Sequence, residues 1–147
     1  MGNLIFLGRE FHKKKLGELS GFIFYILKNI KYFTFIEQIE CGSFSSVALT
    51  KKEGKSELFS SKIIPIDFLI QRKMIDVIYR EIGFLSILTH ENIIHCYESF
   101  KTPDDKCLII VLEHYEGDLF KYIFSDTQID QKTKKKIAYQ ILLALFT

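Results

Sequence analysis

Apolar residues in this chain follow two rhythms, and the switches between them mark out its elements. Short runs rich in β-branched and aromatic residues, bounded by turn formers, read as strands at 32–40, 46–50, 58–64, 93–100 and 107–112. Cys41-Gly42-Ser43 gives a tight turn after the first run, and Lys51-Lys52-Glu53-Gly54-Lys55 a polar hairpin turn after the second. The two prolines, Pro65 and Pro103, both mark breaks. Between the third and fourth runs the period lengthens. Over residues 74–88, Ile78, Ile82 and Leu85 follow i, i+4, i+7 spacing, which predicts one helix. Beyond Gly117 the rhythm is helical again, at 119–124 and from Asp130 onward. Five short antiparallel strands with a helix inserted after the third predict an α+β fold. In the last helix, Ile137, Ala138, Tyr139, Ile141, Leu142, Leu143, Ala144, Leu145 and Phe146 cover nearly the whole circumference, the mark of a buried helix.

Residues 1–31 stand apart as a leader. His12-Lys13-Lys14-Lys15 precedes an apolar run at 19–27, an order that resembles a signal peptide, but no small-x-small cleavage site follows. The run is also well short of the ~20 residues that span a bilayer. Gly2 suits myristoylation, whereas Phe6 stands where Ser or Thr usually follows. The expectation is a helix or strand packed on the domain; a membrane-associated segment or a wrongly assigned start are the alternatives.

With 147 residues the chain is long enough for one domain with its own core. A net charge of +2, with Lys and Arg scattered, argues against a nucleic-acid partner. Cys41, Cys96 and Cys107 have neither C-x-x-C nor metal-ligand spacing and read as reduced thiols, so a cytoplasmic, intracellular location is expected. The candidate chemistry lies elsewhere. Glu81 is one turn from both Ile78 and Leu85, so its carboxylate borders the apolar stripe of its helix. An unpaired, partly buried carboxylate costs several kcal/mol, and a nearby cation is expected. Lys62, near the end of the third strand and 81 − 62 = 19 residues earlier, is one candidate. A plain surface Lys and Glu is the competing reading.

Segments around this pair carry a resemblance. Arg80-Glu81-Ile82-x-x-Leu85-x-x-Leu88-x-His90-x-Asn92-Ile93-Ile94 is similar to the R-E-I-x-x-L-x-x-L-x-H-P-N-I-I of eukaryotic protein kinases, with Glu91 for Pro. Phe59-Ser60-Ser61-Lys62 matches V-A-I-K, and Gln140-Ile141-Leu142-Leu143-Ala144-Leu145 matches Q-I-L-x-A-L. The glycine-rich loop G-x-G-x-x-G-x-V falls on residues 40–47. Only its middle glycine is kept, as Gly42; Glu40 and Ser45 replace the others. Taken alone, that loop is equally an ordinary hairpin. Residues 32–147 thus resemble a Ser/Thr-type protein kinase domain, with an N-terminal lobe at 32–114 and the hinge and first C-terminal-lobe helices at 115–147.

The resemblance implies an ATP site. Lys62 would hold the α- and β-phosphates with Glu81 orienting it, and Gly42 and Phe44 would lie over the phosphates. Val47 and Ser60 would form the ceiling over adenine, with Leu112 as gatekeeper at the back. The backbone C=O of Glu113 and N–H of Tyr115 would bond the adenine edge. Asp118 would meet the ribose or cap the following helix, two compatible roles. Leu85 and Cys96 fall where kinases stack a hydrophobic column between the lobes. Glu40 adds bulk and negative charge near a polyphosphate and should weaken binding.

No H-R-D-x-x-x-x-N and no D-F-G occurs in the 147 residues, so no catalytic residue and no Mg²⁺ ligand is assigned. ATP is the implied cofactor, with Mg²⁺ expected only in a complete kinase. The implied partners are ATP and a protein substrate or the missing C-terminal lobe, with no nucleic acid and no membrane. The expected function is the ATP-binding part of a truncated protein kinase, inactive alone. A non-catalytic, pseudokinase-like binding or regulatory module is the alternative, and an unrelated α+β domain a third reading. Tyrosine specificity stays open.

Overall fold

The computed structural model describes residues 32–42, 44–124 and 129–146, and the expected leader at 1–31 lies outside them. The elements in chain order are β1 (Phe33–Cys41), β2 (Ser46–Lys52), β3 (Leu58–Pro65), α1 (Ile66–Gln71), α2 (Ile75–Ile87), β4 (Cys96–Lys101), β5 (Cys107–Glu113), α3 (Leu119–Ile123) and α4 (Gln131–Leu145). The strands form one antiparallel sheet in the order β1-β2-β3-β5-β4. The α+β expectation therefore holds.

Alternation along the central strands separates two faces. On one, Ala48, Ser61 and Val111 lie in register, as do Ser46, Ile63 and Ile109. On the other, Leu49, Ser60 and Leu112 align, and beside them Val47, Lys62 and Ile110. The first face closes on itself. Phe33 of edge strand β1 stacks on Phe100 of edge strand β4, with ring centroids 6.1 Å apart and planes at 20°. Phe59 meets Tyr97 edge-on at 5.0 Å, and Lys52 Nζ lies 2.6 Å from Glu98 Oε1. Strands at opposite edges can touch only if the sheet curls. Register shifts between Phe35 and Glu37, between Gln38 and Glu40, and between Cys96 and Glu98 supply the bend. Inside the curl Thr50 and Ser61 are fully buried, and their hydroxyls satisfy each other at 2.7 Å. Burial in the same core pushes the Cys107 thiol up to about 11, so it is a neutral packing group.

The second face carries the helices. Ile64, Leu108 and Ile110 pack with Leu69 of α1, Ile78 and Ile82 of α2, and Cys96. One element departs from expectation: α1 follows Pro65 directly, so two helices, not one, lie between β3 and β4. Pro65, at φ −62°, needs no donor at the helix start, and the Ile66 N–H is taken by the Lys106 carbonyl at 2.8 Å. α1 holds six residues, too few to show a helical period. β4 also begins later than residue 93. His90 turns the chain, its Nδ1 accepting from the Asn92 N–H at 3.0 Å and its carbonyl from the Ile93 N–H at 3.0 Å.

Asp130 caps α4, accepting from the Thr133 N–H at 2.7 Å. No residue of α4 is buried among the described residues; Leu145 and the following Phe146 are 74% and 87% exposed. This is the apolar helix that its composition marks for burial.

The curl predicts an asymmetry in stability. Phe59→Ala, emptying a site in the closed face, should cost about 3–5 kcal/mol. Glu98→Gln, at a pair more than a third exposed on both sides, should cost less than about 1 kcal/mol. Urea unfolding of both variants checks the difference. The bare surface of α4 predicts that a polypeptide of residues 1–147 self-associates, whereas one ending near Phe124 is monomeric. Light scattering showing a clean monomer for the longer polypeptide would contradict this.

Candidate functional site

The second face of the sheet continues past the helices toward the end of β5, and most of the expected site residues gather there. β3 is the organising strand. Ser60, Lys62 and Ile64 project to this face, while the buried Ser61 and Ile63 project into the curl. Lys62 lies opposite Val47 on one side and Ile110 on the other, and Ser60 lies opposite Leu49 and Leu112. Lys62, Val47, Ser60 and Leu112 are therefore neighbours on one surface, each half-buried.

Glu81 reaches this surface from α2, with Oε1 3.4 Å from Lys62 Nζ. The pair exists, but in a wetter setting than the position of Glu81 beside the apolar stripe suggests. The Glu81 side chain is 44% exposed and that of Lys62 23%. Solvent screening limits such a pair to about 1 kcal/mol of stability at most, so it orients Lys62 more than it holds the fold. Below it, Leu85 and Cys96 belong to one apolar cluster, with Leu112 packed against the same group.

The β1–β2 loop borders this surface. The Gly42 N–H donates to the Ser45 carbonyl at 2.8 Å, closing a tight turn. A Cβ at Gly42 would sit 3.3 Å from that oxygen, a tight approach that a side chain could take only if the turn gave by a few tenths of an ångström. Glu40 lies opposite Val47 and so shares the face with Lys62. Phe44 is half-buried and stacks on Phe68 of α1, with centroids 5.7 Å apart and planes at 11°.

At the other end, β5 finishes at Glu113, opposite Phe59. The Glu113 N–H donates to the His95 carbonyl at 2.9 Å, and its carboxylate accepts from the His95 N–H at 3.4 Å. A hydrogen bond to Glu113 is the main cause raising the hydroxyl of the exposed Tyr115 above its usual range. Asp118 is the N-cap of α3, accepting from the Lys121 N–H at 2.7 Å. That bond, with the Lys121 ammonium 3.3 Å away, holds its carboxyl below the usual carboxylate range. The Asp118 carboxylate thus already has a partner in its capping role.

Three residues here escape sequence reasoning. Leu49, buried beside Ser60, and Ile110, fully buried beside Lys62, back this surface, and only the register reveals it. His114 places Nδ1 3.0 Å from the Ser60 hydroxyl, joining β3 to the segment after β5 across 54 residues of chain. No local signal announces that contact. Among the described residues no group of three or more His, Cys, Asp or Glu side chains could hold a metal ion, and no helix is long and apolar enough to cross a membrane.

The chain is similar to several curated protein kinases. "Sucrose non-fermenting protein kinase 1" of Fusarium virguliforme is 36% identical over 104 residues, covering 71% of this chain and 15% of that protein. "Serine/threonine-protein kinase 36" of Mus musculus is 32% identical over 111 residues, covering 76% of this chain and 8% of the relative. "SNF1-like protein kinase ssp2" of Schizosaccharomyces pombe is 30% identical over 104 residues, or 71% of this chain and 18% of that protein. This chain therefore spans less than a fifth of the length of each. The sequence model of the family described as "Protein kinase domain" matches residues 33–147, from the first strand through the last helix. With that match running over the sheet, the Lys62–Glu81 pair and the helices after β5, the chain belongs to the protein kinase domain family.

Proposed function

We propose that the surface formed by β2, β3, the end of β5 and α2 binds ATP, and that the chain is the nucleotide-binding part of a Ser/Thr protein kinase. The observation that carries this reading is the Lys62–Glu81 contact at 3.4 Å on the same sheet face as Val47, Ser60 and Leu112. Spacing along β3 supports it. Lys62 and Phe59, the partner of Glu113, are three residues apart, or about 10 Å along the strand. A nucleotide bridges such a span between its base edge and its first phosphates.

The roles follow from position. Leu49, Val47 and Ser60 lie over the base, with Leu112 behind it. The Glu113 carbonyl and the Tyr115 N–H meet the base edge. Lys62 holds the α- and β-phosphates, and Glu81 keeps its ammonium from swinging to solvent. Gly42 and Phe44 bring the loop over the phosphates. Glu40, on the same face, opposes the anion and lowers affinity. Asp118 reaches the ribose only by sharing its carboxylate with Lys121. Mg²⁺ would be held by the catalytic-loop and D-F-G groups of a complete kinase, which are not among these residues. Glu40 and Ser45 in place of loop glycines favour, as a second reading, a binding module that does not transfer phosphate.

Two measurements test the reading. Residues 1–147 should bind ATP with a dissociation constant of about millimolar, near −4 kcal/mol, with little dependence on Mg²⁺. An NMR titration should move the amides of β2, β3 and residues 113–115 together. No movement at about 10 mM nucleotide would reject it, and a micromolar, Mg²⁺-dependent constant would show that the phosphate end is more complete than these residues make it. The same polypeptide should transfer no phosphate to a generic protein acceptor. Positioned acid–base chemistry alone contributes roughly 10²–10⁴-fold, and metal stabilisation adds to it. Radiolabel transfer that disappears in Lys62→Met would overturn that expectation.

A further inference from the structure

The β1–β2 loop keeps one of the three glycines that usually shape it, so its tip must be placed by something other than glycine geometry. Between Gly42 and Ser45, whose backbone bond closes the turn at 2.8 Å, the Phe44 side chain leaves the loop and packs against the apolar cluster under the helices. Its ring lies nearly parallel to Phe68, with centroids 5.7 Å apart and planes at 11°. On Phe68 itself, the Arg72 guanidinium is 5.4 Å from the ring centroid. Phe68 is itself half-buried, and the following Leu69, only 1% exposed, fixes α1 to the sheet.

From α1 the connection continues to α2. The Met74 N–H donates to the Leu69 carbonyl at 2.8 Å, and the Ile78 N–H donates to the Met74 carbonyl at 3.0 Å. The turn between the helices is made at Lys73, at φ 56°. A continuous set of contacts thus runs from the loop tip through Phe68 and Leu69 into the helix that carries Glu81.

We propose that Phe68 is a positioning residue of the cleft. Through Phe44 it ties the loop tip to α1, so that the loop and the Glu81 helix keep a common geometry over the phosphate end. Its functional part rests on the nucleotide reading above; the tether itself does not. Phe68 touches no ligand. Its effect falls on the phosphates and not on the base, because Phe44 is at the loop end of the cleft and the base edge at the Glu113 end.

The test uses residues 1–147 with Phe68→Ala, Phe44→Ala, the double variant and Phe68→Tyr. Hydrogen exchange at the amides of residues 42–46 reads the tether. It should quicken about three- to tenfold in either alanine variant, the size expected for one aromatic pair, and return to normal in Phe68→Tyr. NMR titrations with adenosine and with ATP read the functional part. Each alanine variant should weaken ATP by about three- to tenfold and leave adenosine unchanged, and the double variant should be no worse than either single. Equal losses for adenosine and ATP, or additive losses in the double variant, would reduce Phe68 to a packing residue and overturn the proposal. Unchanged exchange at residues 42–46 in Phe68→Ala would overturn the tether outright. If the unaltered chain binds neither ligand while exchange responds as expected, the tether stands and the nucleotide reading falls.

Discussion

The register of β3 between β2 and β5 is the constraint on which the rest of this structure depends. Alternate residues of that strand serve two incompatible environments. Phe59, Ser61 and Ile63 are buried in the curl, and Ser60, Lys62 and Ile64 face the helices and the cleft. Because side chains alternate with a period of two, a slip by one residue would exchange the sets. Lys62 would enter an apolar core and Ile63 would lose its burial. Two buried neighbours, one on each strand flanking β3, prevent the slip: Ala48 against Ser61 and Ile109 against Ile63. The position of the ammonium is therefore set by hydrophobic packing on the opposite side of the sheet, and only trimmed by Glu81.

This division of labour explains how weak contacts suffice at the candidate site. The Lys62–Glu81 pair is too exposed to stabilise the fold appreciably. It has only to choose one rotamer for a side chain whose Cα is already placed. The Ser60–His114 bond works in the same way at the other end, joining β3 to the segment that follows β5. A half-buried hydroxyl on this face would otherwise carry an unmet hydrogen-bonding demand, and His114 meets it from within the protein.

Much of this was legible in the residues. The continuous apolar run from Leu108 to Leu112 gives a strand because both faces of β5 are covered, and the i, i+4, i+7 spacing of Ile78, Ile82 and Leu85 gives a helix because burial on one face imposes the period. The 19-residue separation of Lys62 and Glu81 placed both partners of a real contact. What the sequence hid has physical reasons. α1 is shorter than two helical turns, so its apolar residues cannot show a rhythm. The exposure of Glu81 depends on how far α2 stands off the sheet, which no spacing along one helix encodes. Phe44 on Phe68 and Ser60 on His114 are contacts between distant segments, and the residue types involved are as common on surfaces as in sites.

The closure of the sheet has a consequence for how the chain reaches this state. Phe33 and Phe100 are 100 − 33 = 67 residues apart, and their stacking joins the two outermost strands. The β2–β3 and β4–β5 hairpins can form from local contacts, but joining the edges closes a long loop whose entropy cost comes before any aromatic contact repays it. Loop-closure entropy therefore predicts that curling follows the hairpins. Until it happens, Thr50 and Ser61 are open to water.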